Sequence, residues 1–176
     1  MAIARDHAHA RWVKACNGEI PPNSFWEGDH AIGRGYYQNG LHVGYVKPGQ
    51  GLFIGWDGSE HILKEYEVLG GDKSHFHWVQ CHGRCQPQGF TPLKGGYEAD
   101  GKEQFIGRVD NYQGKDRIGK AGPHLIDGMN FAVDGREISW SLDIFIGLCE
   151  TVEDGRDEMV HSVRSYHSVG VIETPT

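Results

Sequence analysis

Several things are missing from this 176-residue chain, and each absence narrows what it can be. No stretch approaches the roughly 20 consecutive apolar residues that a membrane-crossing helix needs. The start, Met1-Ala-Ile-Ala-Arg-Asp-His7, lacks the apolar core of a secretory signal. The expectation is a soluble, cytoplasmic protein without membrane insertion, with non-classical secretion left open. Runs of Lys or Arg are also missing. With 17 basic against 24 acidic residues the formal charge is −7, so neither a phosphate backbone nor an anionic membrane surface is an expected partner. Cysteine is scarce. Cys16, Cys81, Cys85 and Cys149, in a chain of this size without a signal, read as free thiols rather than as a disulfide framework.

Glycine and aromatic residues are plentiful: 26 Gly, 5 Trp, 7 Tyr and 7 Phe within a hydrophobic content of 38%. That balance favours short strands and tight turns over long helices. Turn dipeptides punctuate the chain every few residues. They are Asn17-Gly18, Asn39-Gly40, Pro48-Gly49 and Asp57-Gly58, then Asp100-Gly101, Gln113-Gly114, Asp127-Gly128 and Asp134-Gly135. Such pairs supply the positive φ angles that two-residue hairpins require. Leu52–Trp56 and Met129–Val133 read as the same hairpin arm, and Ile62–Val68 as a strand rather than a helical turn.

The chain also repeats itself. Trp12-Val13 is answered by Trp78-Val79, Ile32-Gly33-Arg34 by Ile106-Gly107-Arg108, and Gly58-Ser59-Glu60 by Gly135-Arg136-Glu137. A unit of about 65 residues recurring once is too long for a solenoid and too few for a propeller. The predicted fold is all-β, with two pseudo-symmetric antiparallel lobes interlocked into one compact unit. Residues 1–11 form a lead-in, 12–70 the first copy, 76–148 the second, and 149–176 a tail whose alternating stretch Met159–Ile172 is expected to pair into the sheet. A Gly70-Gly71-Asp72 turn separates the copies, and Glu150–Glu158 is an acidic turn.

Copy one carries Trp12-Val13, Pro21-Pro22-Asn23, Ile32-Gly33-Arg34, Gly58-Ser59-Glu60 and Tyr66-Glu67-Val68-Leu69; copy two carries Gly96-Tyr97-Glu98-Ala99-Asp100-Gly101, Phe105–Arg108, Ile118-Gly119-Lys120 and Gly135-Arg136-Glu137. This ordered set, from about Trp12 to Phe145, resembles the DM-nine repeat family. The resemblance implies a tandem all-β module of the kind that acts as a mannose-binding lectin in invertebrate immune recognition. It also implies that an acid and a lysine hold the sugar, carried here by Glu98 and Lys120. The family's aspartate is Glu98 in this chain, and Ile118 stands where the family has proline.

The chemistry of that pair stands apart from the resemblance. Adjacent sugar hydroxyls both donate and accept, so a carboxylate beside an ammonium can grip them. Asp100, Tyr97, Arg108 and Tyr112 complete the candidate site, with an aromatic ring covering the sugar's C–H face. Copy one offers a degenerate counterpart in Trp26, Glu27, Asp29, Arg34 and Tyr45, where Tyr45 replaces the lysine. The recurrence of Arg34 and Arg108 with Glu60 and Glu137 predicts an Arg–Glu pair inside each lobe. His7-x-His9 and His75-x-His77 precede the two tryptophans but show no complementary acid or cysteine, so neither metal nor cofactor is expected.

The function expected is a non-catalytic lectin for mannose-type glycans, presented by a homodimer. The alternatives are a protein-interaction or toxin-associated module and, less favoured by the residues, a glycosidase. The last needs two carboxylates about 5–10 Å apart across the scissile bond.

Overall fold

The structure, a computed structural model, describes residues 9–81 and 84–149. It contains β1 (Ala10–Cys16), β2 (Trp26–Glu27), β3 (His30–Tyr37), β4 (Gly40–Lys47), β5 (Gly51–Trp56), β6 (Ser59–Leu63), β7 (Glu65–Gly71), β8 (Phe76–Cys81), β9 (Lys94–Tyr97), β10 (Glu103–Tyr112), β11 (Lys115–Ala121), β12 (Met129–Val133), β13 (Arg136–Trp140) and β14 (Ile144–Cys149). The sole helical element among the described residues is a 3₁₀ turn, Lys73–His75. Among the described residues no helix is long and apolar enough to cross a membrane.

The hydrogen-bonded order is β1-β7-β3-β4-β5-β6-β13-β12-β11-β10-β14-β8. Read from either end it gives the same series, so β1 matches β8, β7 matches β14, and so on to β6 and β13, which meet at the centre. The meeting is reciprocal: Glu60 N–H donates to the Gly135 carbonyl and Glu137 N–H to the Gly58 carbonyl, both at 3.1 Å. β9 pairs with β10 and also with β4, through Leu41 and Tyr97. That contact closes β4-β5-β6-β13-β12-β11-β10-β9 into a ring.

Three apolar clusters follow from this layout. The shared one draws Ile32, Val43, Tyr45 and Phe53 from copy one and Ile106, Ile118 and Ala132 from copy two. Each lobe then has its own: Ala31, Val46, Leu52, Ile54 and Val68 in the first, Phe105, Val109, Met129, Phe131 and Ile146 in the second. A strand between two clusters is covered on both faces, which is why β4 is buried along nearly its whole length instead of alternating. Among the described residues no disulfide joins the four cysteines.

The turn dipeptides do their expected work. Asn17-Gly18, Asp57-Gly58, Gln113-Gly114 and Asp134-Gly135 have both residues at positive φ, as a type I′ turn demands. Two local expectations fail. The β3–β4 turn uses Gln38 and Asn39 at φ 47° and 64°, one residue earlier than Asn39-Gly40. Gly40 is needed for close packing instead, since a Cβ there would lie 2.6 Å from His42 Nε2. Gly70 and Gly71 belong to β7, and the copies are separated by the Asp72-capped 3₁₀ turn. The acidic turn, the alternating stretch Met159–Ile172 and His7 lie outside the described residues.

A buried polar chain crosses between the lobes. Val43 N–H donates to Gln104 Oε1 at 3.1 Å, which leaves the Gln104 amide nitrogen to donate to His42 Nδ1 at 3.1 Å. His42 Nε2–H then donates to the Tyr37 carbonyl at 3.0 Å. With Nδ1 accepting and Nε2 donating, the His42 ring is neutral. Burial, followed by the nearby Lys120 ammonium, pushes its pKa below 6.5.

Two predictions follow from these contacts. A Cβ on Gly44 would meet the Phe53 carbonyl oxygen at 2.0 Å, and on Gly119 the Asn130 carbonyl oxygen at 2.1 Å. Gly44→Ala and Gly119→Ala should each lower stability by about 1–3 kcal/mol, as overpacking does. Urea midpoints equal to wild type would contradict this. A depressed histidine pKa means the unfolded chain binds the proton more tightly, so its contribution is complete above pH 6.5 and is lost as pH falls towards the folded value. Burial depresses His30 in the same sense. Unfolding free energy should therefore fall as the pH drops below about 6.5, and less steeply in His42→Gln. Parallel pH profiles for the two proteins would remove His42 from the effect.

Candidate functional site

Glu98 and Lys120 meet. Glu98 follows β9 in a tight turn held by Glu98 N–H to the Lys102 carbonyl and Gly101 N–H to the Glu98 carbonyl, both at 2.8 Å. Lys120 lies on β11, opposite Ile106 on one neighbour and Asn130 on the other. Its Nζ sits 3.3 Å from Glu98 Oε1 and 3.7 Å from Glu137 Oε1, with the residue 5% exposed. Those separations exceed the roughly 2.7–2.9 Å of a tight charge-assisted hydrogen bond.

Three further side chains surround the pair, two of them, His124 and His42, without any sequence signal. His124 Nε2 lies 3.3 Å from Glu98 Oε1. Glu98 Oε2 faces His42 Nδ1 at 3.8 Å, but that nitrogen has no hydrogen to give because it accepts from Gln104. Glu137 is fully engaged, its Oε2 accepting from Gly58 N–H at 3.0 Å and its Oε1 from the Asn130 amide at 2.9 Å. Burial alone would raise the Glu98 pKa, but the Lys120 ammonium and the hydrogen bond from His124 hold it below the ordinary glutamate value. The result is a half-open carboxylate with a lone-pair edge unused by His42, next to an ammonium with two loosely placed anionic neighbours.

The other residues of the copy-two set lie elsewhere. Asp100 accepts from Lys102 N–H at 3.2 Å and pairs with its ammonium at 2.7 Å, closing its own turn on the surface. Tyr97 is 39% exposed on β9, where a strand's alternation turns it from the face that Glu98 follows. Tyr112 packs edge-on against Phe131 and Trp140 in the second lobe's cluster. Arg108 stacks over Trp78, 4.8 Å from the ring centre, and pairs with Asp110 at 2.7 Å.

The copy-one set divides in two. Glu27 accepts from the Trp78 indole at 3.1 Å and pairs with Lys73 at 3.1 Å and Arg108 at 3.6 Å. Trp26, 40% exposed, offers its carbonyl to Lys73. Asp29 instead pairs with His30 at 3.1 Å and Lys115 at 3.3 Å, and these contacts lower its pKa to about 2. Tyr45 occupies the register position of Lys120, since Ile32 opposes Tyr45 as Ile106 opposes Lys120. It is buried, stacked on Phe53 at 5.3 Å, and its hydroxyl donates to the Ala132 carbonyl at 3.0 Å.

Neither repeated arginine takes the repeated glutamate, Glu60 or Glu137, as its partner. Arg34 Nε pairs with Glu67 at 2.6 Å and the guanidinium stacks 4.1 Å over Trp12. Arg108 repeats the stacking on Trp78 but takes its acids from Asp110 and Glu27. The repeated Trp and Arg are thus partners of each other, while Glu137 serves Lys120.

Known proteins bear on this arrangement. No curated protein matches the chain in sequence. A solved structure that it resembles is the nematode sperm cell motility protein MFP2B, at 17% identity and a TM-score of 0.61, covering 84% of this chain and 46% of that one. The chain thus spans less than half of that neighbour, and the likeness speaks for the fold alone. A family model described as the DM9 repeat matches residues 28–140, more than half of the sequence and all of the Glu98, Lys120 and Glu137 cluster. The chain therefore belongs to the DM9 repeat family, a family of binding modules.

Proposed function

We propose that the chain is a carbohydrate-binding lectin whose site is the Glu98–Lys120 pair in copy two, with mannose-type glycans as ligands. The observation that carries this reading is the Lys120 ammonium, buried yet no closer than 3.3 Å to either carboxylate neighbour. Burying an ion costs several kcal/mol unless close partners compensate. A sugar hydroxyl accepting from Lys120 and donating to Glu98 supplies the missing short contacts, and its neighbouring hydroxyl reaches the free edge of Glu98. His124, 3.3 Å from the same carboxylate, fixes the approach from the β11 side.

Binding fits this geometry better than hydrolysis. A glycosidase needs a carboxylic acid with a raised pKa to protonate the leaving group. Glu98 is held in the opposite sense, and Glu137 is committed to Gly58, Asn130 and Lys120.

Calorimetric titration of mannose should give a dissociation constant between micromolar and millimolar, with Glu98→Gln and Lys120→Gln each weakening it at least tenfold, about 1.4 kcal/mol. Unchanged affinity in two folded variants would move the site elsewhere, and silence on an array of mannose-rich glycans would end the lectin reading. A weak single site gains strength through multivalency, so a homodimer is proposed as the working form. Sedimentation should show a species of twice 19.6 kDa. A monomer that retains full glycan avidity contradicts it.

A further inference from the structure

Away from the Glu98 cluster, the edge where β1 enters the sheet gathers a second set of side chains. β1 and β7 pair up to Ala10 opposite Gly71, and one further hydrogen bond, Asp72 N–H to the His9 carbonyl at 2.9 Å, extends the ladder. His9 and Asp72 are therefore held side by side by backbone. Asp72 then caps the 3₁₀ turn: its Oδ1 accepts from Ser74 N–H at 3.1 Å and Ser74 Oγ at 2.6 Å. This fixes the carboxylate so that Oδ2 faces His75 Nε2 at 3.6 Å. The turn also folds His75 back over His9, with ring centres 3.6 Å apart and planes inclined by 14°. One histidine from each of the two pairs preceding the tryptophans is thus joined to an acid that the sequence, read alone, did not connect with them.

One ligand atom from each of His9, Asp72 and His75 lies within 4.8 Å of the other two. Two imidazoles and a carboxylate are a common donor set for zinc, with bonds of about 2.0–2.2 Å that place tetrahedral ligands roughly 3.3 Å apart. Binding an ion would require the stacked His9 and His75 rings to turn so that a nitrogen of each converges with Asp72, and the side chains of Asp72 and His75, 57% and 34% exposed, leave room for that. Lys73, the nearest lysine in sequence, does not compete for Asp72. Its ammonium is turned to the Trp26 carbonyl and to Glu27. Beside the cluster runs a groove of about 440 Å³ bordered by His9, Arg11, Asn23, Asp72 and Lys73, which gives an ion and its remaining waters a way in.

We propose that His9, Asp72 and His75 form a binding site for a divalent transition metal of the zinc class, with three protein ligands and the remaining position open to water. The site would staple the start of copy one to the segment joining the copies, and it is independent of the sugar site. A metal bound to the folded state alone raises its stability in proportion to ligand concentration.

The test is calorimetric titration of metal-stripped full-length protein with zinc chloride, alongside the visible absorption of the cobalt(II) form. The chain has 11 histidines, so the informative quantity is the difference between wild type and variants. His9→Ala and His75→Ala should each lose one zinc equivalent or weaken it at least tenfold. Asp72→Asn should also weaken it, because an asparagine oxygen preserves the Ser74 cap but carries no charge. Excess zinc should raise the melting temperature of wild type and not of the His9→Ala/His75→Ala double variant. Mannose titrations should be unaffected, which separates failure here from failure of the lectin reading. Zinc stoichiometry, affinity and melting shift identical in wild type and the double variant would overturn the proposal.

Discussion

The structure depends on the seam where the two copies meet. Neither half, at about 65 residues, buries enough surface to be stable with ease on its own. The reciprocal hydrogen bonds between Glu60 and Gly135 and between Glu137 and Gly58 set the two sheets edge to edge, and the shared cluster of Ile32, Val43, Ile106 and Ile118 fills the space they enclose. The same seam positions chemistry. Glu137 lies so close to the first copy that a Cβ on Gly55 would stand 2.7 Å from its Cγ. Its two oxygens are then taken by Gly58 of copy one and Asn130 of copy two.

Because the scaffold is duplicated, the molecule contains its own control for the buried ammonium. At the position of Lys120 copy one carries Tyr45, and opposite it Phe53 stands where copy two has Asn130. Tyr45 and Phe53 stack with planes inclined by 5°, bury fully and satisfy the single hydroxyl on Ala132. The fold therefore accepts an apolar solution at this register. The lysine and asparagine of copy two are not required to hold the sheet together, and a buried ion is costly beside an aromatic pair of similar reach. A local departure from the economical packing choice is where function is to be looked for.

How much of this was legible in the sequence depended on how local the cause was. Turns were, because a positive φ at Asp57-Gly58 or Asp134-Gly135 is written in two adjacent residues. The pairing of Glu98 with Lys120 came through the family pattern. His42, Gln104 and His124 had no signal, since they come from β4, β10 and the loop after β11 and are brought together by contacts between copies. Repetition misled in one instructive way. That Arg34 and Arg108 recur alongside Glu60 and Glu137 shows that each sits in an equivalent environment, but not that arginine meets glutamate. The arginines recur because each lies over the tryptophan of its own copy. Tyr112 and Arg108 were grouped with the site on nearness along the chain. Strand alternation and the course of β10 place the first in the second lobe's cluster and the second against Trp78.

The Glu98 cluster is consequently a property of the pair of copies and of neither one. His42 and Gly58 belong to the first, Glu98, Lys120, His124 and Glu137 to the second, and the Gln104 amide ties His42 in its neutral form against the site. If His42 Nδ1 carried a proton it would no longer accept from Gln104 and would present a donor to Glu98 Oε2, the edge proposed to receive a ligand. The inter-lobe hydrogen-bond chain thus keeps that carboxylate edge available by keeping one nitrogen unprotonated. Packing between the copies and the open edge of the Glu98 carboxylate are two consequences of the same buried contact.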